Sequence, residues 1–139
     1  MMRASILIAD DYTDNRELLR LVLAAAGYRI REARDGREAL AMAREELPDL
    51  LLVDLSMPVL DGWGVLREVR ADESMSGLPL VAITAFADVE RARALAEGFS
   101  GYVGKPFRSQ ELLETVGRLL AESRSRKQAD GGGSNQGAL

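Results

Sequence analysis

At 139 residues and 47% apolar side chains, the chain has the size and composition of one globular domain with a real core. It contains no Cys, which excludes a disulfide framework and a thiolate metal site, and no His, so any phosphohistidine chemistry must come from a partner. The net charge is −4, and Arg124, Arg126 and Lys127 all fall late in the chain, so the body is more acidic still and duplex binding gains no support.

Neither a charged and apolar leader nor a long apolar span is present, which favours the cytoplasm and argues against a membrane role. Ser5 to Ala9 reads as an apolar strand followed at once by Asp10 and Asp11. Asp14 with Glu17 predicts a capping box, and Leu18, Leu19, Val22 and Ala26 form the apolar stripe of a first helix that stops at Gly27. Leu21 and Leu23 widen that stripe, either as shoulders of the core or as a surface for a partner. Tyr28 to Ala33 is a second strand. Asp35 and Gly36 make a turn, and Ala39, Leu40, Ala43 and Leu47 recur at helical spacing until Pro48.

Leu50 to Val53 is an unbroken apolar run ending on Asp54, the pattern of a parallel strand covered on both faces. A loop holding Pro58, Asp61 and Gly62 leads to a third helix, Trp63 to Arg70, with Val65, Leu66 and Val69 inward. After the polar stretch Asp72 to Gly77, Pro79 to Ile83 forms a fourth apolar strand that delivers Thr84 and Ala85. Val89, Ala92, Leu95 and Ala96 mark a fourth helix stopped by Gly98. Gly101 to Gly104 is a short fifth strand running into Lys105 and Pro106, and Leu112, Leu113, Val116, Leu119 and Leu120 mark the fifth helix. From Arg124 the sequence RSRKQADGGGSNQGAL has no apolar period, which predicts a domain over 1–123 and a disordered tail over 124–139.

Five strands alternating with five helices demand an α/β doubly wound parallel sheet with helices on both faces. Ligands in such sheets sit at the carboxyl ends of the strands, which here deliver Asp10, Asp11, Asp54, Thr84 and Lys105 to one crevice. Clustered carboxylates repel unless a cation joins them. All-oxygen ligands in a shallow site suit Mg²⁺ with retained waters better than a caged Ca²⁺. A carboxylate beside a metal and an ammonium suits capture of a phosphoryl group, whose oxygens both cations neutralise.

Asp10 with Asp11, the stretch DLSMPVLDG from Asp54, Thr84 with Ala85, and GYVGKPF from Gly101 together resemble the receiver domain of two-component response regulators, over residues 4 to about 122. The resemblance implies the CheY-like, flavodoxin-like fold with strand order 2-1-3-4-5. It implies that Asp54 accepts the phosphoryl group, that Asp11 binds Mg²⁺ directly and Asp10 largely through water, and that the backbone carbonyl of Ser56 is a further ligand. Lys105 would contact the phosphoryl oxygens, Thr84 would donate its hydroxyl, and Tyr102 matches the switch aromatic that turns inward with Thr84. The Lys105–Pro106 bond is often cis in that family. Ser56 and Phe86 occupy positions that flank the phosphoryl group, and Phe99 stands where a smaller residue is usual.

The implied partners are a sensor histidine kinase or histidine phosphotransferase and an unknown downstream protein, with no direct nucleic-acid binding and a monomer or weak dimer as the working form. The short stretch after the fifth helix favours a single-domain regulator acting by partner binding or phosphorelay; the alternative is the receiver of a longer regulator. An aspartate-based phosphohydrolase would need its second acid two residues after the first-strand nucleophile, whereas the chain reads Asp10, Asp11, Tyr12, Thr13. A flavin carrier would need a glycine-rich phosphate loop where these two acids stand.

Overall fold

The computed structural model describes residues 3–137, with side chains as far as Arg126. Strands and helices alternate as β1 (Ser5–Ala9), α1 (Thr13–Ala25), β2 (Arg29–Ala33), α2 (Gly36–Glu45), β3 (Leu50–Asp54), α3 (Gly62–Ala71), β4 (Leu80–Thr84), α4 (Ala87–Glu97), β5 (Gly101–Gly104) and α5 (Ser109–Gly137). The strands form one parallel sheet in the order β2-β1-β3-β4-β5, the doubly wound flavodoxin-like topology expected. Among the described residues no helix is long and apolar enough to cross a membrane.

Every residue of β1, β3 and β4 is buried, because successive side chains point to opposite faces and helices cover both. Ile6, Ile8, Leu50, Leu52, Val81 and Ile83 pack against Leu19 and Leu23 of α1 and Leu112 and Val116 of α5. Leu7, Ala9, Leu51, Val53 and Ala82 face Leu40 of α2, Val65, Leu66 and Val69 of α3, and Ala94 of α4. Each such wholly buried Leu or Ile contributes about 2 kcal/mol through area removed from water. The edge strand β2 is instead rich in charge, with Arg29 paired to Glu46 at 2.9 Å, which discourages pairing with a second sheet.

Register fixes where the strands end. Ala9 lies opposite Val53, Asp54 opposite Ile83, and Thr84 opposite Gly104. The carboxyl ends of β1, β3, β4 and β5 are therefore nearly level, and the order reverses between β1 and β3, where a crevice opens. Asp35 and Asp61 cap α2 and α3 by accepting the N–H groups of Glu38 and Gly64, both at 2.9 Å. At Gly62 a Cβ would lie 2.7 Å from the carbonyl oxygen of Asp54, so a glycine is required for α3 to start this close to the end of β3.

Several periodicities settle differently. α1 begins at Thr13, with no side-chain cap from Tyr12, so the capping box expected at Asp14 and Glu17 does not form; Asp14 sits inside the first turn, where its charge meets the helix dipole. The buried face of α1 is Leu19 and Leu23, while Leu18, Leu21 and Ala26 are exposed, and Leu47 beyond α2 is half exposed. In α4 the expected stripe of Val89, Ala92, Leu95 and Ala96 faces outward; the one buried side chain is Ala94, with Ala87 and Glu90 partly covered. Ala87 comes close over Gly104 of β5, where an added Cβ would lie 3.2 Å from it, so α4 meets the sheet through its alanines rather than through its larger apolar residues. The backbone of α5 runs from Ser109 to Gly137 and so through most of the stretch 124–139 that the sequence marks as a tail; residues 138–139 lie outside the described residues. Ser123 is the last buried side chain on α5 among those described.

Phe99, buried before β5, meets Trp63 of α3 edge to face, with ring centroids 5.6 Å apart and planes at 71°. Such a pair adds to burial by favourable quadrupole contact. Phe99→Ala is expected to cost about 3–5 kcal/mol and to lower the urea midpoint without changing the slope, with Phe99→Leu costing less than half as much.

Candidate functional site

Asp54 closes β3 and is almost wholly buried. Its Oδ1 accepts the N–H of Ser56 at 2.9 Å, and its Oδ2 accepts Lys105 Nζ at 2.7 Å. Asp10, one residue beyond β1, has no exposed surface at all. Its Oδ1 accepts the N–H of Tyr12 at 2.9 Å and so turns the chain into α1, and its backbone carbonyl accepts Arg16 Nη1 at 2.8 Å. Its Oδ2 has no hydrogen-bond partner and lies 3.5 Å from Lys105 Nζ. Asp11 is exposed at the mouth. One carboxylate oxygen from each of Asp10, Asp11 and Asp54 falls within 4.8 Å of the others.

Burial dominates the electrostatics of Asp10 and raises its pKa; the charges of Asp54 and Asp11 push the same way, while the Tyr12 N–H and Lys105 oppose them. For Lys105, burial alone would favour the neutral amine, but the hydrogen bond it donates to Asp54 and the charge of Asp10 together outweigh it and raise the pKa. Lys105 is thus the cation that holds the acids together. A wholly buried carboxylate oxygen with no donor, inside an all-oxygen cluster, is the arrangement that a hard cation satisfies.

Ser56 is exposed in the loop after β3, and its carbonyl accepts no backbone hydrogen bond among the described residues. In the same loop Val59 has φ of 70°, a left-handed conformation that is costly for a β-branched residue. The Lys105–Pro106 peptide is cis. Thr84 is buried at the end of β4, but its hydroxyl is turned toward α4: Oγ1 donates to Glu90 Oε1 at 2.6 Å and accepts the N–H of Phe86 at 3.0 Å. Tyr102 is half-buried against the core, with the Arg91 guanidinium 5.1 Å from its ring centroid. The Phe86 ring is 63% exposed.

The fold therefore brings Asp10, Asp11, Asp54 and Lys105 into one cluster, and it places Thr84 and Tyr102 on the neighbouring strands under α4. Arg16, Glu90 and Arg91 were not among the expected residues. Arg16 gives no local signal, and Glu90 would have emerged only from the correct helical phase of α4.

The family model of the response regulator receiver domain matches residues 6–117. The chain belongs to the response regulator receiver domain family. It is 36% identical over 125 residues to "Polar-differentiation response regulator DivK" of Brucella ovis, covering 88% of this chain and 100% of that protein. To "Probable transcriptional regulator ycf27" of Guillardia theta it is 40% identical over 119 residues, covering 85% of this chain and 46% of that protein. The chain spans about half the length of the ycf27 relatives it matches. Among solved structures, chemotaxis protein CheY4 of Vibrio cholerae superimposes with a TM-score of 0.78 at 33% identity, covering 85% of this chain and 99% of that one. A receiver domain is the phosphoacceptor signalling module of two-component systems rather than a conventional enzyme, and it implies a histidine kinase as partner. The triad Asp10, Asp11 and Asp54 is of the kind found at receiver Mg²⁺ sites.

Asp10→Asn keeps an oxygen for the Tyr12 N–H and removes the buried charge. In metal-free buffer at neutral pH it is expected to raise the melting temperature by about 3–6 °C, on the order of 1 kcal/mol. Because the raised pKa means that the folded chain binds the proton more tightly than the unfolded chain, wild type recovers stability as pH falls through that pKa, and the gap should narrow in acid. Thermal melts at several pH values check both the sign and the trend.

Proposed function

We propose that the chain accepts a phosphoryl group on Asp54 from a phosphohistidine of a sensor histidine kinase or histidine phosphotransferase, in a Mg²⁺-dependent reaction, and signals by altered partner binding. The observation that carries this reading is the position of the Asp54 carboxylate: at the open end of β3, with Lys105 on one oxygen and two further acids alongside. An Asp54 oxygen attacks phosphorus as the phosphorus–nitrogen bond breaks, and the departing imidazole keeps the electron pair and is protonated by solvent. Lys105, already within hydrogen-bond reach of that oxygen, follows the incoming phosphoryl oxygens, while the Ser56 N–H steadies the carboxylate. Asp10, Asp11, Asp54 and the Ser56 backbone carbonyl would hold Mg²⁺, which when bound supplies positive charge to the phosphoryl oxygens. Thr84 then donates its hydroxyl to one of those oxygens, and Tyr102 turns inward behind it.

Leu18 with Pro106 and Phe107 lines an apolar groove of about 100 Å³ beside Lys105, which suits a donor helix that must bring its histidine to Asp54. Exposed Phe86, Val89 and Leu95 give α4 the apolar anchors that an output surface needs. On this reading the module ends near residue 123, the last buried position on α5 among the described side chains. The single-domain form of the proposal rests on DivK, matched over its whole length, and the form in which a further domain follows rests on the ycf27 proteins, matched over about half of theirs. The intact mass of the native protein separates these two forms.

Incubation with acetyl phosphate and Mg²⁺ is expected to add the mass of one phosphoryl group, mapped to Asp54. Asp54→Asn and wild type in excess chelator should stay essentially unmodified. Modification of Asp54→Asn at the wild-type rate would overturn the proposal.

A further inference from the structure

α4 is held to the domain by very little apolar surface. Its one buried side chain is Ala94. Apart from the partly covered Ala87 and the Phe86 N–H on the Thr84 hydroxyl at its start, three side-chain tethers hold it: Glu90 to the Thr84 hydroxyl at 2.6 Å, the Arg91 guanidinium 5.1 Å from the centre of the Tyr102 ring, and the Arg93 guanidinium 4.0 Å from that of Trp63. Elements with few buried apolar contacts open and shift at low cost, so the position of α4 depends on these tethers more than on a core. Two of the three end on Thr84 and Tyr102.

We infer that Glu90 is a positioning residue that latches α4 to the resting Thr84 hydroxyl, so that phosphorylation releases α4 directly by taking that hydroxyl away. The inference rests on Asp54 being the phosphoacceptor. Thr84 has one proton to donate, and in the resting chain a carboxylate takes it. A hydrogen bond to an ionised acceptor is short and roughly twice as strong as a neutral one, which matches 2.6 Å. Glu90 lies in the first turn of α4, where the helix dipole steadies its charge, and its own N–H bonds to the Phe86 carbonyl at 2.9 Å. Its carboxylate is thus fixed to the start of α4, and anything that moves the Thr84 hydroxyl must break its bond to the helix. A phosphoryl oxygen on Asp54 and the Glu90 carboxylate compete for the same proton. The latch makes the resting state cheaper and gives Thr84 a line to α4 that does not pass through the Tyr102 ring.

Beryllofluoride with Mg²⁺, which mimics a phosphoryl group on an aspartate, reads the competition as an affinity. Glu90→Ala is expected to tighten beryllofluoride binding about fivefold and Glu90→Gln by less, since a neutral amide oxygen still accepts the hydroxyl proton weakly. In the adduct-free protein, Glu90→Ala should also raise amide exchange across residues 87–97 toward that of the wild-type adduct. Removing a negative charge near an anion site helps binding by itself, so the decisive comparison is made in Thr84→Ala. There the gap between Glu90→Gln and Glu90→Ala, both neutral at residue 90, should vanish. Equal affinities for wild type, Glu90→Gln and Glu90→Ala, or a Gln-to-Ala gap that persists without the Thr84 hydroxyl, would overturn the latch. If the wild-type chain forms no adduct at all, the phosphoacceptor reading fails first and the latch with it. Glu90→Leu, also neutral and without an acceptor, replaces Glu90→Ala in the same comparison if the alanine variant folds poorly.

Discussion

Two carboxylates, Asp10 and Asp54, are buried side by side at the ends of adjacent parallel strands, and a single ammonium, Lys105, lies between them. Burying one charge is costly and burying two of like sign is worse, so the rest of the crevice is arranged to contain that cost. The chain supplies donors at short range: the Tyr12 N–H to Asp10 and the Ser56 N–H to Asp54 come from the residues that follow each acid by two. Arg16 fixes the Asp10 carbonyl from α1, and Gly62 lets α3 start against the Asp54 carbonyl. One oxygen, Asp10 Oδ2, is still left without a donor. A folded domain that keeps such an oxygen gives up stability there, as sites built to receive a cation do.

Around that crevice the molecule divides into a rigid and a loose part. β1, β3 and β4 are buried throughout and clamped between α1 with α5 on one face and α2 with α3 on the other. They hold Asp10 and Asp54 in register at their carboxyl ends. α4 is the exception, with polar and cation–π contacts doing most of what apolar burial does elsewhere. A signalling domain needs this asymmetry. On the proposed function, the chemistry needs fixed distances at the strand ends and the output needs an element whose position a small electrostatic change can shift.

The fold was largely legible because its three central strands carry unbroken apolar runs, a pattern that a doubly covered parallel sheet explains, and because acids follow or end two of them. Topology then forced Asp10, Asp11, Asp54 and Lys105 together. What spacing misjudged lies where side-chain burial is shallow. Val89, Ala92, Leu95 and Ala96 have helical spacing but face outward, since the helix offers Ala94 to the core instead. The contact of Glu90 with Thr84 was invisible for the same reason: a helix assigned the wrong phase puts its glutamate in water. The start of α1 was misplaced because the turn is closed by Asp10, four residues ahead of the acid that local rules select.

On the proposed function, the acids at the carboxyl edge of the sheet form a site for a hard divalent cation, on which the acceptor role of Asp54 depends. Melting temperature against Mg²⁺ concentration tests this most directly, because a ligand bound only by the folded state adds about 2.7 kcal/mol at a hundredfold excess over its Kd. The account predicts a rise that continues with the logarithm of Mg²⁺ concentration and is largely lost in Asp11→Asn. A wild-type melting temperature that does not respond to millimolar Mg²⁺ would contradict it.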